Sequence, residues 1–558
     1  MIQAMQTSVL IVGGGPVGLC LALDLAQRDI DVTVVELRAA GEAPSVKCNH
    51  VSSRTMEILR TLGVASDVRA AGLPDDYPND IAFRPIATRP DFQRIRIPCR
   101  RDRFTDTESP DAWWPTPEPP HRVNQKFFEP ILFRHAAAHP NIRIINKASI
   151  DSFEQQDDRV VASGHDLTTD SPLAIEATYM IGCDGGRSMV RNAIGARLVG
   201  DAEIQRVQST YFRAPDLIDR IPDPQAWWTY LYHPARAGSL VAIDGREHWL
   251  LHNYLLKGEA FDTVDRDACL RMLLGVDADF HYEMLSNEDW IGRRLVADKF
   301  RDRRVFICGD SGHLWVPYAG YGMNAGIADA MNLSWQLAAH LSGWAGAAIL
   351  DAYEAERLPI TNQVSRFAMD HAEKAIAERT AIPPNFLDED EAGEQARRMI
   401  GEEAYHLHVR QFACAGLNFG YYYDRSPLIA YDDETPPAYS MSDYTPSTVP
   451  GCRVPHLWLP DGRSLYDAMD KGFTLIRFDP AVPVEPLLAA ARERGIPMSL
   501  LDLPAQARPD CYSYALTLSR PDRHVCWRGD RVPADTATMM DRISGRLGEV
   551  QSPSPEMV

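Results

Sequence analysis

SVLIVGGGPVGLCLALDLAQRDIDVTVVEL, residues 8–37, decides the fold, because it reads in order as strand, glycine turn, helix and second strand. Val9 to Val12 form a short apolar run with β-branched members, as suits a strand buried on both faces of a parallel sheet. Gly13, Gly15 and Gly18 stand at the GxGxxG positions, with Pro16 opening the helix. The first glycine permits the sharp turn, the second lets a pyrophosphate approach the backbone, and the third lets helix lie close on strand. The helix start offers free N–H groups and its positive end to phosphates. Glu36 ends the second strand, about twenty residues past the glycines, where a carboxylate can accept from ribose hydroxyls and disfavour a 2′-phosphate. Alone, three glycines mean only a tight turn. With strand, helix and acid in place they predict an adenine dinucleotide, FAD or NAD.

The 558 residues exceed one core, so two to four domains are expected. A net charge of −20 argues against nucleic acid and anionic membrane as partners, whose binding draws on clustered Lys and Arg. No signal-peptide pattern opens the sequence, and residues 331–350 are too polar for a bilayer, so the cytoplasm is the expected location. Ten cysteines are scattered without a CxxC pair, and no metal site is expected, since His135 and His139 lack a third ligand.

Residues 74–120, rich in Pro, Asp and Arg, read as an irregular excursion with at most short strands, and their arginines 94, 96, 100, 101 and 103 are a candidate patch for a nicotinamide dinucleotide. A helix follows from residue 124, a strand at 142–145, and a β-meander over 150–180 that runs into Cys183-Asp184-Gly185-Gly186-Arg187-Ser188. A strand ending on Asp-Gly-Gly again puts backbone amides where a phosphate chain could pass. Residues 205–255 carry aromatics on strand-like alternation, with Asp244-Gly245 as a hairpin turn. Within them Trp228, Tyr230 and Tyr232 share one face and Thr229, Leu231 and His233 the other, which predicts an antiparallel sheet serving as aromatic core, as the wall of a pocket for a flat ring, or as both. A third strand ends on Gly309-Asp310, and Gly320, Gly322, Met323 and Asn324 open a long helix.

Three ordered motifs, Gly13 to Gly18, Cys183 to Arg191 and Gly309 to Asn324, make the chain resemble the single-component (group A) FAD-dependent aromatic hydroxylases, which include para-hydroxybenzoate and phenol hydroxylases. The resemblance implies an α/β class, with a Rossmann-like FAD-binding fold of para-hydroxybenzoate hydroxylase type in residues 1–200 plus 291–378. It places an antiparallel substrate sheet in 201–290, a helical linker in 379–440, and, as in the phenol hydroxylase branch, a thioredoxin-like domain without CxxC in 441–550. That last unit is expected to serve structure or homodimerisation, and its tail SPSPEMV to be disordered.

Carried over by position, Glu36 binds the adenosine ribose, Gln125 lies near the flavin phosphates, and Asp310, after Gly309, takes the ribityl chain. Asp184, Gly185 and Arg191 form the Asp-Gly motif linked to FAD and NAD(P)H. Gly320, Gly322, Met323 and Asn324 hold the pyrimidine end, with Pro317 by the reactive carbon. The pattern departs where many members have an arginine, here Lys47, and where many have two prolines, here Val316-Pro317. Lys47 neutralises a phosphate without gripping it bidentately. The implied activity is monooxygenation of a small phenolic aromatic in catabolism, with O2 and NADH or NADPH, through a C4a-hydroperoxyflavin. A phenol attacks better when ionised, so His233, Tyr230 and Tyr232 are the candidate bases or relays. The alternatives are a reductase or dehydrogenase of the same fold without oxygen insertion, and a flavin-binding interaction protein.

Overall fold

The computed structural model describes residues 4–316 and 320–547, apart from the side chain of Ala202. Pro317 and the tail at 552–558 therefore lie outside the described residues.

The first sheet, eight-stranded among the described residues, has Met5–Val12 at its centre. Val32–Glu36 and then Ile142–Asn146 lie parallel on one side. Pro172–Gly182 and then Val305–Ile307 lie parallel on the other. Register does the decisive work. Val12 stands beside Gly182, and Gly182 beside Ile307, so the three turns singled out from the sequence leave the sheet from one row. Helices Pro16–Ala26 and Tyr321–Leu341 pack together beside that row, where a Cβ on Gly326 would come within 2.9 Å of Gly309 Cα. The meander is present as Ala148–Gln155, Val160–Asp166 and Pro172–Gly182, paired antiparallel.

The second sheet is nine-stranded among the described residues and reaches beyond residues 201–290 on both sides. Its longest strand, Leu198–Arg213, pairs with His248–Tyr254 and with Trp290–Ala297. His313–Trp315 joins at one end, so the third motif sends Val305–Ile307 into one sheet and His313–Trp315 into the other. The excursion at 74–120 contains two short strands among the described residues. Ile81–Arg84 lies parallel to Trp228–His233, and Gln93–Ile95 closes that edge.

Cross-strand register fixes the faces. Tyr230 sits opposite Ser239, then His252, then Ser209, while Trp228 leads through Val241 and Leu250 to Tyr211. This face carries the ties to the first domain, with Lys126 Nζ donating to Tyr211 OH at 2.7 Å. The other face lies under helix Arg266–Leu274, whose Leu273 would meet a Cβ on Gly238, the partner of Leu231, at 2.7 Å.

The expected linker is mostly helix. Asp351–Thr380 runs on from the first domain and Glu391–Phe412 packs beside the second sheet, with Phe412 in the same core as Trp227 and Tyr230. The C-terminal unit is a mixed four-stranded sheet, Phe473–Arg477 parallel to Met498–Asp502 and antiparallel to Leu516–Ser519, which pairs with Val525–Gly529. It docks through buried ions: Arg520 donates to Glu356 at 2.5 and 2.8 Å, and Arg453 to Glu57 at 2.5 Å. The ten cysteines are free thiols, and among the described residues no cluster could hold a metal ion and no helix is long and apolar enough to cross a membrane.

Candidate active site

The glycines of the first turn differ in their surroundings. Gly13 has φ +110°, and a Cβ there would overlap the carbonyl of Cys183. A Cβ on Gly18 would overlap the carbonyl of Gly13, so helix and strand touch through this residue. A Cβ on Gly15 would meet nothing within 4 Å, which leaves the ligand side of the turn open. Glu36 Oε2 accepts from Gly14 N at 2.6 Å, and Oε1 from the backbone N and Nε of Arg38 at 3.0 and 2.9 Å. Burial would raise the Glu36 pKa, but the bonds and charge of Arg38 hold it below the ordinary value. Arg38 also pairs with Glu129 at 2.6 Å, and Glu129 accepts from Gln125 Nε2 at 2.8 Å. Gln125 and Glu36 thus belong to one charged patch, joined by two residues that no motif marks.

The second turn acts as a clasp. Asp184 accepts from Ser188 Oγ at 2.5 Å, Ser311 Oγ at 3.0 Å and Val190 N at 3.1 Å, so its carboxylate is spent on organising protein. Gly185 N donates to Ser311 Oγ at 3.2 Å, and Arg191 donates to the carbonyls of Ser311 and Gly186 at 3.2 and 3.1 Å. Asp310 differs: it is exposed, yet enough protein surrounds it for desolvation to raise its pKa against the charges of His313 and Lys47. That combination describes a carboxyl on the floor of an open cleft, with exposed Lys47 facing it. Beneath it, buried Asp329 accepts from His313 Nε2 at 2.7 Å and Arg357 Nε at 2.8 Å.

Gly320 caps the long helix in the left-handed region, φ 61°. Asn324 Oδ1 accepts from Ser52 N at 2.9 Å, and its Nδ2 donates to the carbonyls of His50 and Gly320 at 3.2 and 2.5 Å. Gly322 faces open space, the nearest atom to a Cβ there being Trp315 Nε1 at 3.8 Å, and Met323 is half-buried beside it. Residues 46–52 and this helix start thus form one wall. The open faces of Gly15 and Gly322, the accessible Asp310 carboxyl and the two helix N-termini fit an extended dinucleotide whose phosphates meet backbone N–H groups.

Residues 6–368 match the family described as FAD binding domain, and residues 447–547 the one described as aromatic-ring hydroxylase, C-terminal. The chain belongs to the single-component FAD-dependent aromatic hydroxylases. Aklavinone 12-hydroxylase RdmE of Streptomyces purpurascens is 30% identical over 97% of this chain and 99% of its own. FAD-dependent monooxygenase apdD of Emericella nidulans is 30% identical over 94% and 88%. Among solved structures, the rebeccamycin biosynthetic enzyme RebC with reduced flavin superposes with a TM-score of 0.87 at 33% identity, covering 98% of this chain and 100% of that one. Aklavinone-11 hydroxylase with FAD and aklavinone gives 0.78 at 27%, with 98% and 100% covered.

In this hydroxylase the aromatic face turned toward the cradle runs from half-buried Trp228 through His252, 5.9 Å between ring centres, to Trp290 at a further 6.1 Å. Tyr230 and Tyr232 share that face but are engaged at its helical seam, Tyr230 OH donating to Gln411 at 3.3 Å and Tyr232 OH to Glu378 at 3.0 Å. His233 does not join them. It projects from the opposite face, and its Nδ1 accepts from Ala235 N at 3.1 Å. On the cradle side stands His252, buried, with Ser209 Oγ 2.7 Å from Nδ1, and His248 stacks on Tyr211 on the same face. Alternation along the strand separated the two faces, but nothing in it said which face the cradle would take. Of the candidate arginines, Arg94 pairs with Asp80 and Asp91, Arg100 caps the carbonyls of Arg69 and Ala70, and Arg103 pairs with Asp111, while Arg96 and Arg101 are exposed.

Proposed function

We propose that this hydroxylase inserts one atom of O2 into a polycyclic phenol of the aromatic polyketide kind, with NADH or NADPH as reductant. The observation that carries the reading is the aromatic wall of Trp228, His252 and Trp290 on the one sheet face tied to the flavin cradle. A wall of three large rings suits a fused ring system better than a single phenol. The relatives support it, since their names point to aklavinone and to tetracenomycins B2 and A2.

Bound FAD supplies the redox chemistry, taking hydride and activating O2. The chain does the rest. Gly13, Gly15, Pro16 and Gly18 admit the pyrophosphate and Glu36 the ribose. Lys47, Gln125 and Asp310 line its course, Gly309, Asp184, Gly185 and Arg191 hold the neighbouring turns, and Pro317 lies next in the chain to the cradle wall. The helix start at Gly320, Gly322, Met323 and Asn324 would hold the ring's pyrimidine end, where the helix's positive end favours negative charge. The aromatic face keeps water away. Burial holds Tyr232 well above the ordinary phenol pKa, with the Glu378 charge adding to it, so its hydroxyl stays a donor. Burial lowers His252 to about 4, so the ring is neutral at working pH and resists protonation.

The test is a panel running from simple phenols to hydroxyanthraquinones, read by stimulated NAD(P)H oxidation and by product mass under 18O2. A heavy-oxygen product from the fused-ring members only is the expected result. Turnover of simple phenols alone would return the reading to catabolism, and anaerobic reduction of an acceptor without oxygen insertion would make the protein a reductase.

A further inference from the structure

Arg122 lies where cradle and pocket meet, and its charge is not answered. The residue precedes helix Gln125–Ala138 and runs beside residues 46–52, the strands bridging at Val51 and His121. Its side chain is 3% exposed. The guanidinium lies 4.6 Å over the Trp227 ring and 5.9 Å from that of Phe412, and Nη1 bonds to the ring of His50. Nη2 has no hydrogen-bond partner.

The groups around Arg122 do not supply an anion in contact. Asp111 acts on it through space, but both its oxygens are taken by Arg103, and Ser109 Oγ donates to it at 3.0 Å. Arg103 adds positive charge, and burial pushes the Cys414 thiol up to about 12, so that group stays neutral. Burial, with the charges of Arg122, Arg103 and His121, holds His50 well below the ordinary imidazole value, so it too is neutral. Burial brings Arg122 down to about 10, which leaves it cationic at working pH. A buried cation with no anion in contact costs more than one neutral hydrogen bond returns. Such a group is kept for a ligand or is a liability.

We propose that Arg122 is the specificity-determining cation of the substrate pocket, its free Nη2 donating to an anionic oxygen on the aromatic guest. This rests on the polycyclic-phenol reading above. The position fits the role: His50, on one side, shares its carbonyl with Asn324 at the helix start, and Trp227, on the other, immediately precedes the aromatic strand Trp228–His233. Stacking on Trp227 fixes the plane of the guanidinium, and with it the direction of the free N–H. The guest enters as its phenolate, having given its proton to bulk water, so the site needs no further base to activate it.

The reduced flavin ring is the other planar group that bears an anionic oxygen, and the test separates the two. Alizarin, whose colour reports phenol ionisation, is titrated from pH 5 to 9 in the FAD-loaded oxidised enzyme. In the wild type its bound phenol pKa falls by at least one unit, a tenfold stabilisation of the phenolate. Arg122→Lys keeps part of that shift and Arg122→Gln none, while both retain FAD. Arg122→Gln melts at or above the wild-type temperature without dye, since it removes a buried charge. A lower melting temperature with loss of FAD in both variants would make the residue structural and overturn the proposal. An unchanged dye shift in Arg122→Gln, with reduced-flavin absorbance moved from the anionic toward the neutral form, would give the cation to the flavin. Wild-type enzyme binding alizarin as the neutral phenol would overturn the inference alone. Failure to bind it, with NAD(P)H oxidation unstimulated, would overturn the polycyclic reading as well.

Discussion

The flavin cradle and the aromatic face proposed as the substrate pocket are specified by different parts of the chain. The cradle is backbone: three turns leaving one row of a parallel sheet, with glycines where a Cβ would overlap a carbonyl or block a ligand. The pocket is side chain: one face of a sheet whose strands come from residues 81–95, 198–297 and 313–315, covered by two helices from beyond residue 350. Backbone geometry restricts which residues can stand at a turn, so cradles announce themselves locally. A packed face restricts only volume and polarity, so pockets do not.

If that contrast holds, the largest effect comes from adding carbon where the backbone is bare. Gly15→Val fills the open side of the turn and should abolish FAD binding, raising Kd by about a hundredfold or more, equal to ~3 kcal/mol. Flavin absorbance per purified chain reads it, and normal stoichiometry would break the assignment of the cradle. Asp329→Ala comes next. It strands buried Arg357 and His313, and should cost about 3–5 kcal/mol in urea unfolding.

Asp310→Ala removes an acceptor at the cleft floor and nothing beneath it, so FAD should weaken about tenfold with the melting temperature of the FAD-free protein unmoved. A pH effect sharpens the pocket side. Unfolded, His252 takes up a proton below about pH 6.5, whereas folded it does so only near 4. Between those values the unfolded chain holds the extra proton, so this group's contribution is lost as pH falls, by about 1 kcal/mol per unit, and is complete above the window. Unfolding at pH 5 and pH 7 should show a shallower slope for His252→Gln. The smallest effect belongs to His233→Ala, on the far face, where kcat should stay within about twofold if positions off the pocket face are neutral.

The same contrast accounts for what could be read in advance. Strand, turn and helix at residues 8–37, the three strand ends and the alternation through Trp228 to His233 were legible, because each rests on a local rule of period or turn. The short strands expected at most in residues 74–120 could not be placed: Ile81–Arg84 forms because a partner strand 147 residues on, as at Ile81 and Trp228, supplies the pairing, and Gln93–Ile95 pairs in turn with Ile81–Arg84. Asp184 matched its motif, yet its carboxylate proved a clasp between turns, which a motif cannot distinguish from a ligand contact. Arg38, Glu129, Asp329 and Arg122 matter through residues far away in sequence, and no spacing rule marks them.

The routing of the third motif bears on how the protein is made. Val305–Ile307 completes the parallel sheet only after the strands between residues 198 and 297 have emerged, and His313–Trp315 then joins their sheet in turn. A nascent chain halted before that point carries an open sheet margin and half a cofactor bed, so neither layer can settle first and wait for the other. The third turn of the cradle, after Val305–Ile307, is thus the last of the three to emerge during synthesis.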